Sequence, residues 1–220
     1  MRTTRLFGDY KHIAIEGPIG VGKTSLARTL AQRLGGRLVL EAADTNPFLE
    51  NFYSDRRRYA LATQLSFLAS RYRQQTEMRQ HDLFEPLIIS DYIFDKDRIF
   101  AGLTLSDDEL DLYEQFYRMM AARAAEPDLV VLLLADVDTL LRRIADRGIP
   151  CESGLDREYI EDLSAAYGEY FRVYDDAPLL LVDTSPIDYR EQTLELEGLL
   201  TEMEQTRTGQ RVYVANGEAR

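Results

Sequence analysis

The sequence is poor in cysteine and histidine, which limits the chemistry that the chain can carry out. Among its 220 residues, Cys151 is the single cysteine, and His12 and His81 are the two histidines. A lone cysteine excludes an intrachain disulfide, so a reducing cytoplasm is the simplest compartment to expect. A nucleophilic or redox role for Cys151 has no partner histidine in support, and we interpret this residue as incidental.

Positive charge and long apolar runs are also scarce. The chain has 26 lysine and arginine residues against 38 aspartate and glutamate residues, which gives a formal net charge of −12. A broad surface for nucleic acid or for an anionic membrane is therefore not expected. No apolar run approaches the length of about 20 residues that spans a membrane, and the first residues, MRTTRLFGDYKH, are too polar for a signal peptide. These absences predict a cytoplasmic protein that binds neither nucleic acid nor membrane.

The pattern of apolar segments predicts an α/β domain. Short apolar segments alternate with helical periodicity, which is typical of a doubly wound parallel sheet with its ligands at the carboxyl ends of the strands. We predict a five-stranded parallel sheet flanked by helices, formed by residues 11–206 between an N-terminal extension (1–10) and a flexible tail (207–220). The predicted strands are residues 12–16, 37–41, 87–90, 128–134 and 178–182. The predicted helices are residues 24–34, 51–79 (as a kinked or broken pair), 107–125, 137–146, 157–174 and 186–206.

A phosphate-binding loop follows the first predicted strand. Residues 17–24 (GPIGVGKT) fit the pattern G-x-x-x-x-G-K-[ST], and they stand between a strand and a helix, as the pattern requires. The glycines let successive N–H groups point at phosphate oxygens, and the helix adds its positive end. Lys23 is placed to reach the β- and γ-phosphates, and the Thr24 hydroxyl is placed to ligate Mg²⁺. The loop predicts binding of ATP or GTP through Gly17, Gly20, Val21, Gly22, Lys23, Thr24 and Ser25.

Two acidic residues end neighbouring predicted strands. Glu41 ends the second strand, where its carboxylate would face the γ-phosphate and could take a proton from an acceptor hydroxyl; the alternative is an ordinary surface glutamate. Asp91 follows the third strand, where nucleotide-binding enzymes with this loop keep the acid that organises Mg²⁺. The alternative for Asp91 is a helix N-cap.

A longer stretch carries a resemblance to a known family. From the phosphate loop to about residue 174, including NFYSDRRRYALATQLSFLASRYRQQ, the sequence resembles the deoxynucleoside kinases, particularly their bacterial deoxyadenosine/deoxyguanosine kinase branch. The resemblance implies that Glu41 is the general base for the sugar 5′-hydroxyl and that Tyr53 binds the 3′-hydroxyl. It also implies that Gln64 reads the base edge, that Arg71 assists there, and that the enzyme is a homodimer. Gln64 and Arg71 are seven residues apart and so share one helix face, whereas we interpret Arg56-Arg57-Arg58 as solvated.

The segment 143–156 has the arrangement of a lid that carries arginines. Arg143 and Arg147 are four residues apart on one helix face, so both guanidinium groups could converge on the transferring phosphate. The alternative is a helix C-terminus whose arginines suit its dipole. The resemblance implies that Arg147 is the family's lid arginine and that Glu152 binds the 3′-hydroxyl.

The sequence departs from the family at the acidic strand end. Many members carry an acid-Arg-Ser triplet there, but this chain has Asp91-Tyr92-Ile93, which leaves the role of the arginine open. By resemblance, Phe100 is the aromatic residue that stacks on the base. The family's acid that reads the base falls on Lys96 or Asp97, depending on the placement of a gap.

Together these features predict an enzyme that phosphorylates the 5′-hydroxyl of a deoxynucleoside with Mg·ATP, with a purine as the expected base. The expected catalytic residues are Glu41, Lys23, Arg143 and Arg147, and the expected metal ligands are Thr24 and Asp91. Two alternatives remain. One is a nucleoside monophosphate kinase of the thymidylate kinase type, and the other is a nucleotide-dependent switch whose output is a protein contact.

Overall fold

The computed structural model describes Phe7 and residues 9–81, 87–121, 124–187 and 192–219. The strands, in chain order, are β1 (His12–Glu16), β2 (Arg37–Val39), β3 (Ile88–Ser90), β4 (Leu129–Leu134), β5 (Leu179–Asp183), β6 (Gln192–Leu194), β7 (Gln210–Val214) and β8 (Gly217–Ala219). The main sheet has six strands in the order β2-β3-β1-β4-β5-β7, and every neighbouring pair in it is parallel. Strands β6 and β8 form a separate antiparallel pair.

Helices connect the strands. They are α1 (Lys23–Leu34), α2 (Leu49–Ser54), α3 (Arg56–His81), α4 (Lys96–Thr104), α5 (Asp107–Ala121), α6 (Val137–Arg147), α7 (Arg157–Arg172) and α8 (Leu196–Gln205). Short 3₁₀ turns lie at Ala43–Thr45 and Pro150–Gly154. No helix within the described ranges is long and apolar enough to cross a membrane.

The centre of the sheet forms the core of the domain. Strand β4 has the sequence LVVLLL, and its first five residues are buried, as expected for a strand that is covered on both faces. The adjacent β1 is buried along its whole length, and α1 packs against it through Leu26, Leu30 and Leu34. Because all these strands are parallel, their carboxyl ends meet at one edge, where the phosphate loop and the acidic residues after β2 and β3 lie.

The five predicted strands are all present, but the sheet has six strands because residues 210–214 form β7. The prediction of a flexible tail at 207–220 was therefore wrong for this part of the chain. β7 pairs with β5 from Leu179↔Gln210 to Asp183↔Val214, and it is an edge strand. An edge strand can keep polar and exposed side chains, and Val212 is indeed 75% exposed. The segment therefore lacks the continuous apolar run that identifies a central strand.

The N-terminal boundary also differs from the prediction. Phe7 and Tyr10, which were assigned to an extension, are buried in the main core. The Tyr10 hydroxyl donates to the carbonyl oxygens of Met203 (3.3 Å) and Thr206 (3.2 Å) and so joins this segment to the end of α8. Residues 1–6 and 8 lie outside the described residues.

The predicted helices are present, but several begin or end at other residues than predicted. The predicted pair at 51–79 is confirmed as α2 and α3, which are separated at Asp55. Helix α4 was not predicted. The predicted helix at 186–206 occurs only as Leu196–Gln205, and residues 188–191 lie outside the described residues.

Candidate active site

The phosphate loop connects β1 to α1, and its glycines fit a tight space. Gly17, Gly20 and Gly22 have φ values of 143°, 85° and 107°, a region that residues with a Cβ atom rarely adopt. A Cβ atom on Gly17 would collide with the carbonyl oxygen of Leu133, and one on Gly20 would lie 2.9 Å from the carbonyl oxygen of Leu140. The loop is therefore packed against the end of β4 and the side of α6.

Lys23 begins α1 and faces back into the loop. Its Nζ donates hydrogen bonds to the carbonyl oxygens of Gly17 (2.7 Å) and Pro18 (3.0 Å). Burial, followed by the positive charge of Lys96, lowers the pKa of Lys23 to about 8. A negatively charged ligand such as a phosphate would stabilise the buried ammonium group in this position.

Thr24 and Asp91 form a pair of oxygen ligands beside the loop. The Thr24 hydroxyl donates to Oδ2 of Asp91 at 2.6 Å, and the backbone N–H of Glu41 donates to Oδ1 at 2.7 Å. The helix that follows β3 begins only at Lys96, so Asp91 does not cap a helix. A hydroxyl and a carboxylate are ligands that Mg²⁺ accepts. Within the described part of the chain, no cluster of three or more His, Cys, Asp or Glu side chains could hold a metal.

Glu41 is held by two cations. Its Oε1 accepts from the Arg71 guanidinium, and its Oε2 accepts from Nζ of Lys96 at 2.7 Å. Burial alone would raise the pKa of Glu41, but the charges of Arg71 and Lys96 outweigh it and lower the pKa well below the ordinary range. The carboxylate is therefore ionised and fixed in orientation.

Arg71 forms ion pairs with two carboxylates, those of Glu41 and Asp97. Its guanidinium also donates to Oδ1 of Asp97, a residue with no exposed surface, and it lies 5.1 Å from the centre of the Phe67 ring. The two candidates for the family's base-reading acid thus have different surroundings. Asp97 pairs with Arg71, which the sequence predicts at the base, whereas Lys96 pairs with Glu41.

Most of the predicted site residues line one cavity of about 680 Å³. Gln64 lies on its wall, and its Nε2 donates to the hydroxyl of Thr104 at 3.1 Å. Gly17 and Val21 are not on its wall, and Val21 is completely buried. The predicted residues on the wall are Gly20, Gly22, Lys23, Thr24, Ser25, Glu41, Tyr53, Gln64, Arg71, Asp91, Phe100, Arg143, Arg147 and Glu152.

The two lid arginines do not have the same surroundings. The half-exposed Arg147 donates through Nη2 to both carboxylate oxygens of Glu152 at 2.6 Å, on the cavity wall. Arg143 is buried; its Nη1 donates to the hydroxyl of Thr184 (3.0 Å), and its Nη2 donates to the carbonyl oxygens of Thr184 (2.7 Å) and Ile187 (2.9 Å). These hydrogen bonds of Arg143 hold the loop after β5, and convergence of both guanidinium groups on one phosphate stays a prediction.

Several residues that shape the site were missed or misinterpreted. Glu16 is completely buried and accepts from the N–H groups of Gly17 (2.8 Å) and Ile93 (3.0 Å), so it fixes the start of the phosphate loop. Its position immediately before the loop was a signal that could have been used. Arg57 and Arg58 are exposed as predicted, whereas Arg56 is only partly exposed. It donates to the carbonyl oxygen of Gly154 at 3.1 Å and lies 4.3 Å from the centre of the Tyr159 ring.

Comparison with known proteins identifies the family. The family model described as "Deoxynucleoside kinase" matches residues 13–206. The chain is 36% identical over 156 residues to a deoxyguanosine kinase of Bacillus subtilis, a match that covers 70% of this chain and 75% of that protein. It is 29% identical over 201 residues to a deoxyadenosine/deoxycytidine kinase of the same organism, which covers 87% of this chain and 90% of that protein.

Comparison with solved structures identifies the same family. The structure of a deoxyadenosine kinase from M. mycoides with bound dATP superposes with a TM-score of 0.72 at 27% identity, over 82% of this chain and 93% of that one. The α/β fold, the phosphate loop and the resemblance expected from the sequence are thus confirmed. The chain belongs to the deoxynucleoside kinase family and is a phosphotransferase.

Proposed function

We propose that this kinase transfers the γ-phosphate of Mg·ATP to the 5′-hydroxyl of a purine deoxynucleoside, giving the 5′-monophosphate and ADP. The observation that carries this proposal is the ionised carboxylate of Glu41, held between Arg71 and Lys96 in the cavity that also contains the phosphate loop. A fixed carboxylate next to a phosphate site is what an in-line transfer to a hydroxyl requires.

In this reaction Glu41 takes the proton of the 5′-hydroxyl, and the resulting oxygen forms a bond to the γ-phosphorus. The bond from that phosphorus to the oxygen bridging to the β-phosphate breaks, and its electron pair leaves with ADP. Lys23 and the backbone N–H groups of the loop bind the phosphates. Thr24 and Asp91 would hold Mg²⁺, which neutralises phosphate charge when it is bound.

The nucleoside lies on the other side of Glu41 in this proposal. Tyr53 and Glu152 bind the sugar 3′-hydroxyl, and Gln64 and the Arg71–Asp97 pair face the base edge. Phe100 stacks on the base. Support for a purine comes from the relatives, which include a deoxyguanosine kinase of B. subtilis and a deoxyadenosine kinase of M. mycoides.

A nucleoside fits this cavity better than a nucleoside monophosphate does. An acceptor that carries its own phosphate needs unpaired cations to bind it. On the acceptor side, Arg71 is shared between the carboxylates of Glu41 and Asp97. These carboxylates would repel an additional phosphate.

We also propose that the enzyme is a homodimer in the cytoplasm. Helix α5 exposes Leu112 (41%), Phe116 (38%) and Met119 (73%), which lie on one face because they are four and three residues apart. Contiguous exposed apolar side chains of this kind are typical of protein interfaces. The single cysteine supports a reducing compartment.

The test is ADP formation by the purified chain with Mg·ATP and each of four deoxynucleosides, followed by their monophosphates. Turnover of about 1–100 s⁻¹ is expected with deoxyadenosine or deoxyguanosine. Turnover confined to deoxycytidine or thymidine would overturn the purine assignment. Turnover confined to a monophosphate would overturn the assignment of a nucleoside as acceptor.

A further inference from the structure

Lys96 is a buried cation whose one predicted role, as a possible position of the family's base-reading acid, does not suit an ammonium group. It is the first residue of α4, it is 5% exposed, and it lies on the cavity wall. A buried ammonium group is unfavourable unless it has charged or polar partners. Among the described residues its hydrogen bond is to Glu41, and an ammonium group has three N–H donors. Two donors of Lys96 therefore remain for a ligand in the cavity.

A second ammonium group faces the same space. Lys23 and Lys96 both lie on the wall of the cavity that contains Glu41. Two like charges that face one cavity repel each other, and an anion between them reduces the repulsion. A nucleotide on the phosphate loop would bring its terminal phosphate, which is an anion, to Lys23.

Arg71 is the other cation that contacts Glu41 among the described residues. Arg71 donates to both Glu41 and Asp97. Tyr92 is completely buried, carries no positive charge, and donates its hydroxyl to Gln74 at 2.8 Å. Arg71 is thus shared between two carboxylates, whereas Lys96 pairs with one, so Lys96 keeps more of its charge for a ligand beside Glu41.

We infer that Lys96 is a catalytic residue whose ammonium group bridges the carboxylate of Glu41 and the phosphoryl group in transfer. This inference rests on the proposed role of Glu41. When Glu41 accepts the 5′-proton, it becomes neutral, and its attraction for Lys96 falls. The charge of Lys96 is then directed to the oxygens of the phosphoryl group, where negative charge is redistributed during transfer.

The test compares Lys96→Met and Lys96→Arg in the wild-type chain and in a Glu41→Gln background. Lys96→Met should lower kcat by about 100-fold or more, while the KM for ATP changes by less than about fivefold. Lys96→Arg should restore part of the loss, because it keeps the charge. In the Glu41→Gln background, Lys96→Met should still lower kcat by about tenfold or more, because the ammonium group contacts the phosphoryl group itself.

A kcat for Lys96→Met within threefold of wild type would overturn the inference. An unchanged kcat on adding Lys96→Met to Glu41→Gln would also overturn it, because Lys96 would then act only through Glu41. Normal turnover of Glu41→Gln alone would refute the proposed role of Glu41 as the base. The effect of Lys96→Met on kcat could still be measured in that case, so the two failures can be distinguished.

Arg98→Met is the matched control, since Arg98 lies on the same helix but is exposed and pairs with Glu114. It should retain wild-type kcat. Thermal unfolding and binding of a non-hydrolysable ATP analogue would show whether Lys96→Met is folded. If it is not, Lys96→Gln, which can still hydrogen-bond to Glu41, replaces it with the same expected loss.

Discussion

The hydroxyl of Thr24 donates a hydrogen bond of 2.6 Å to Oδ2 of Asp91, which joins the first turn of α1 to the end of β3. The other oxygen of the same carboxylate accepts the backbone N–H of Glu41 at 2.7 Å. One carboxylate thus contacts both the hydroxyl expected to ligate Mg²⁺ and the backbone of the proposed base. The donor and acceptor halves of the site are therefore mechanically connected through Asp91.

Replacement of Asp91 should affect both halves. Asp91→Asn keeps the shape of the side chain but removes its charge, so it should weaken Mg²⁺ binding and lower kcat by about 100-fold. The measurement is the initial rate as a function of free Mg²⁺ at saturating ATP, and the variant should need more Mg²⁺ for its half-maximal rate. Asp128→Asn is the control, because Asp128 accepts the N–H of Lys11 at the opposite end of the sheet. An unchanged Mg²⁺ requirement in Asp91→Asn would contradict the metal assignment.

Replacement of Glu41 should affect chemistry more than binding. Glu41→Gln removes the proposed proton acceptor, and general-base catalysis contributes about 10²–10⁴-fold to rates. We expect kcat to fall within that range while the KM for ATP stays within a few-fold of wild type. Steady-state kinetics with the preferred nucleoside would measure both values. A kcat near that of wild type would show that the base is another group or that none is needed.

Much of this site could be predicted because its signals are local in the sequence. The phosphate loop is a continuous octapeptide between a strand and a helix, and Asp91 directly follows a strand. Gln64 and Arg71 share a face of one helix, so their spacing alone brings them together on the cavity wall. Short-range patterns of this kind depend on backbone geometry that any helix or strand imposes.

The features that escaped prediction depend on contacts between distant segments. Lys96 is next to Glu41 only because α4 packs beside the end of β2, and no spacing in the sequence indicates this pair. Arg143 and Arg147 look equivalent by spacing, yet the loop after β5 takes up the donors of Arg143. Strand β7 escaped because an edge strand needs no continuous apolar run.

The two lid arginines should therefore behave differently when replaced. Arg143→Met removes the Arg143 hydrogen bonds to the Thr184 hydroxyl and to the carbonyl oxygens of Thr184 and Ile187, of which the Thr184 carbonyl keeps the N–H of Ile187 as a donor. It should therefore lower the free energy of unfolding by about 2–4 kcal/mol. Arg147 is half exposed, so Arg147→Met should change stability by less than about 1 kcal/mol but lower kcat by about 100-fold. Urea unfolding and steady-state kinetics on both variants would test this. A kcat effect confined to Arg143→Met would reverse the assignment.

The pH dependence of ATP binding should report on Lys23. Its pKa in the free protein is about 8, lowered from the ordinary value of 10.5, so Lys23 loses its proton as the pH rises above about 8. The phosphates favour the protonated form, and the affinity for ATP should therefore fall above this pH, by at most about tenfold per pH unit. Calorimetry with a non-hydrolysable ATP analogue between pH 7.5 and 9.5 would measure it.

Lys96→Met provides a direct check on the cause of this shift. Removal of the neighbouring charge should raise the pKa of Lys23, so the fall in ATP affinity should begin at higher pH than in the wild-type chain. Arg98→Met should leave the profile unchanged. An affinity that stays constant to pH 9.5 in the wild-type chain would contradict the lowered pKa of Lys23.

The last strand of the sheet should contribute to stability although it was expected to be a tail. A chain that ends at Gly209 loses β7, its ladder with β5 and the buried Ala215, whereas a chain that ends at Asn216 keeps them. At about 1 kcal/mol for each hydrogen bond, the shorter chain should lose about 3–5 kcal/mol of unfolding free energy. Loss of β7 also exposes the edge of β5, whose Leu180 and Val182 are buried. The chain that ends at Gly209 should therefore aggregate more readily than the wild-type chain. The chain that ends at Asn216 should unfold near the wild-type temperature. Equal midpoints in urea for the two truncated chains would show that β7 does not stabilise the domain.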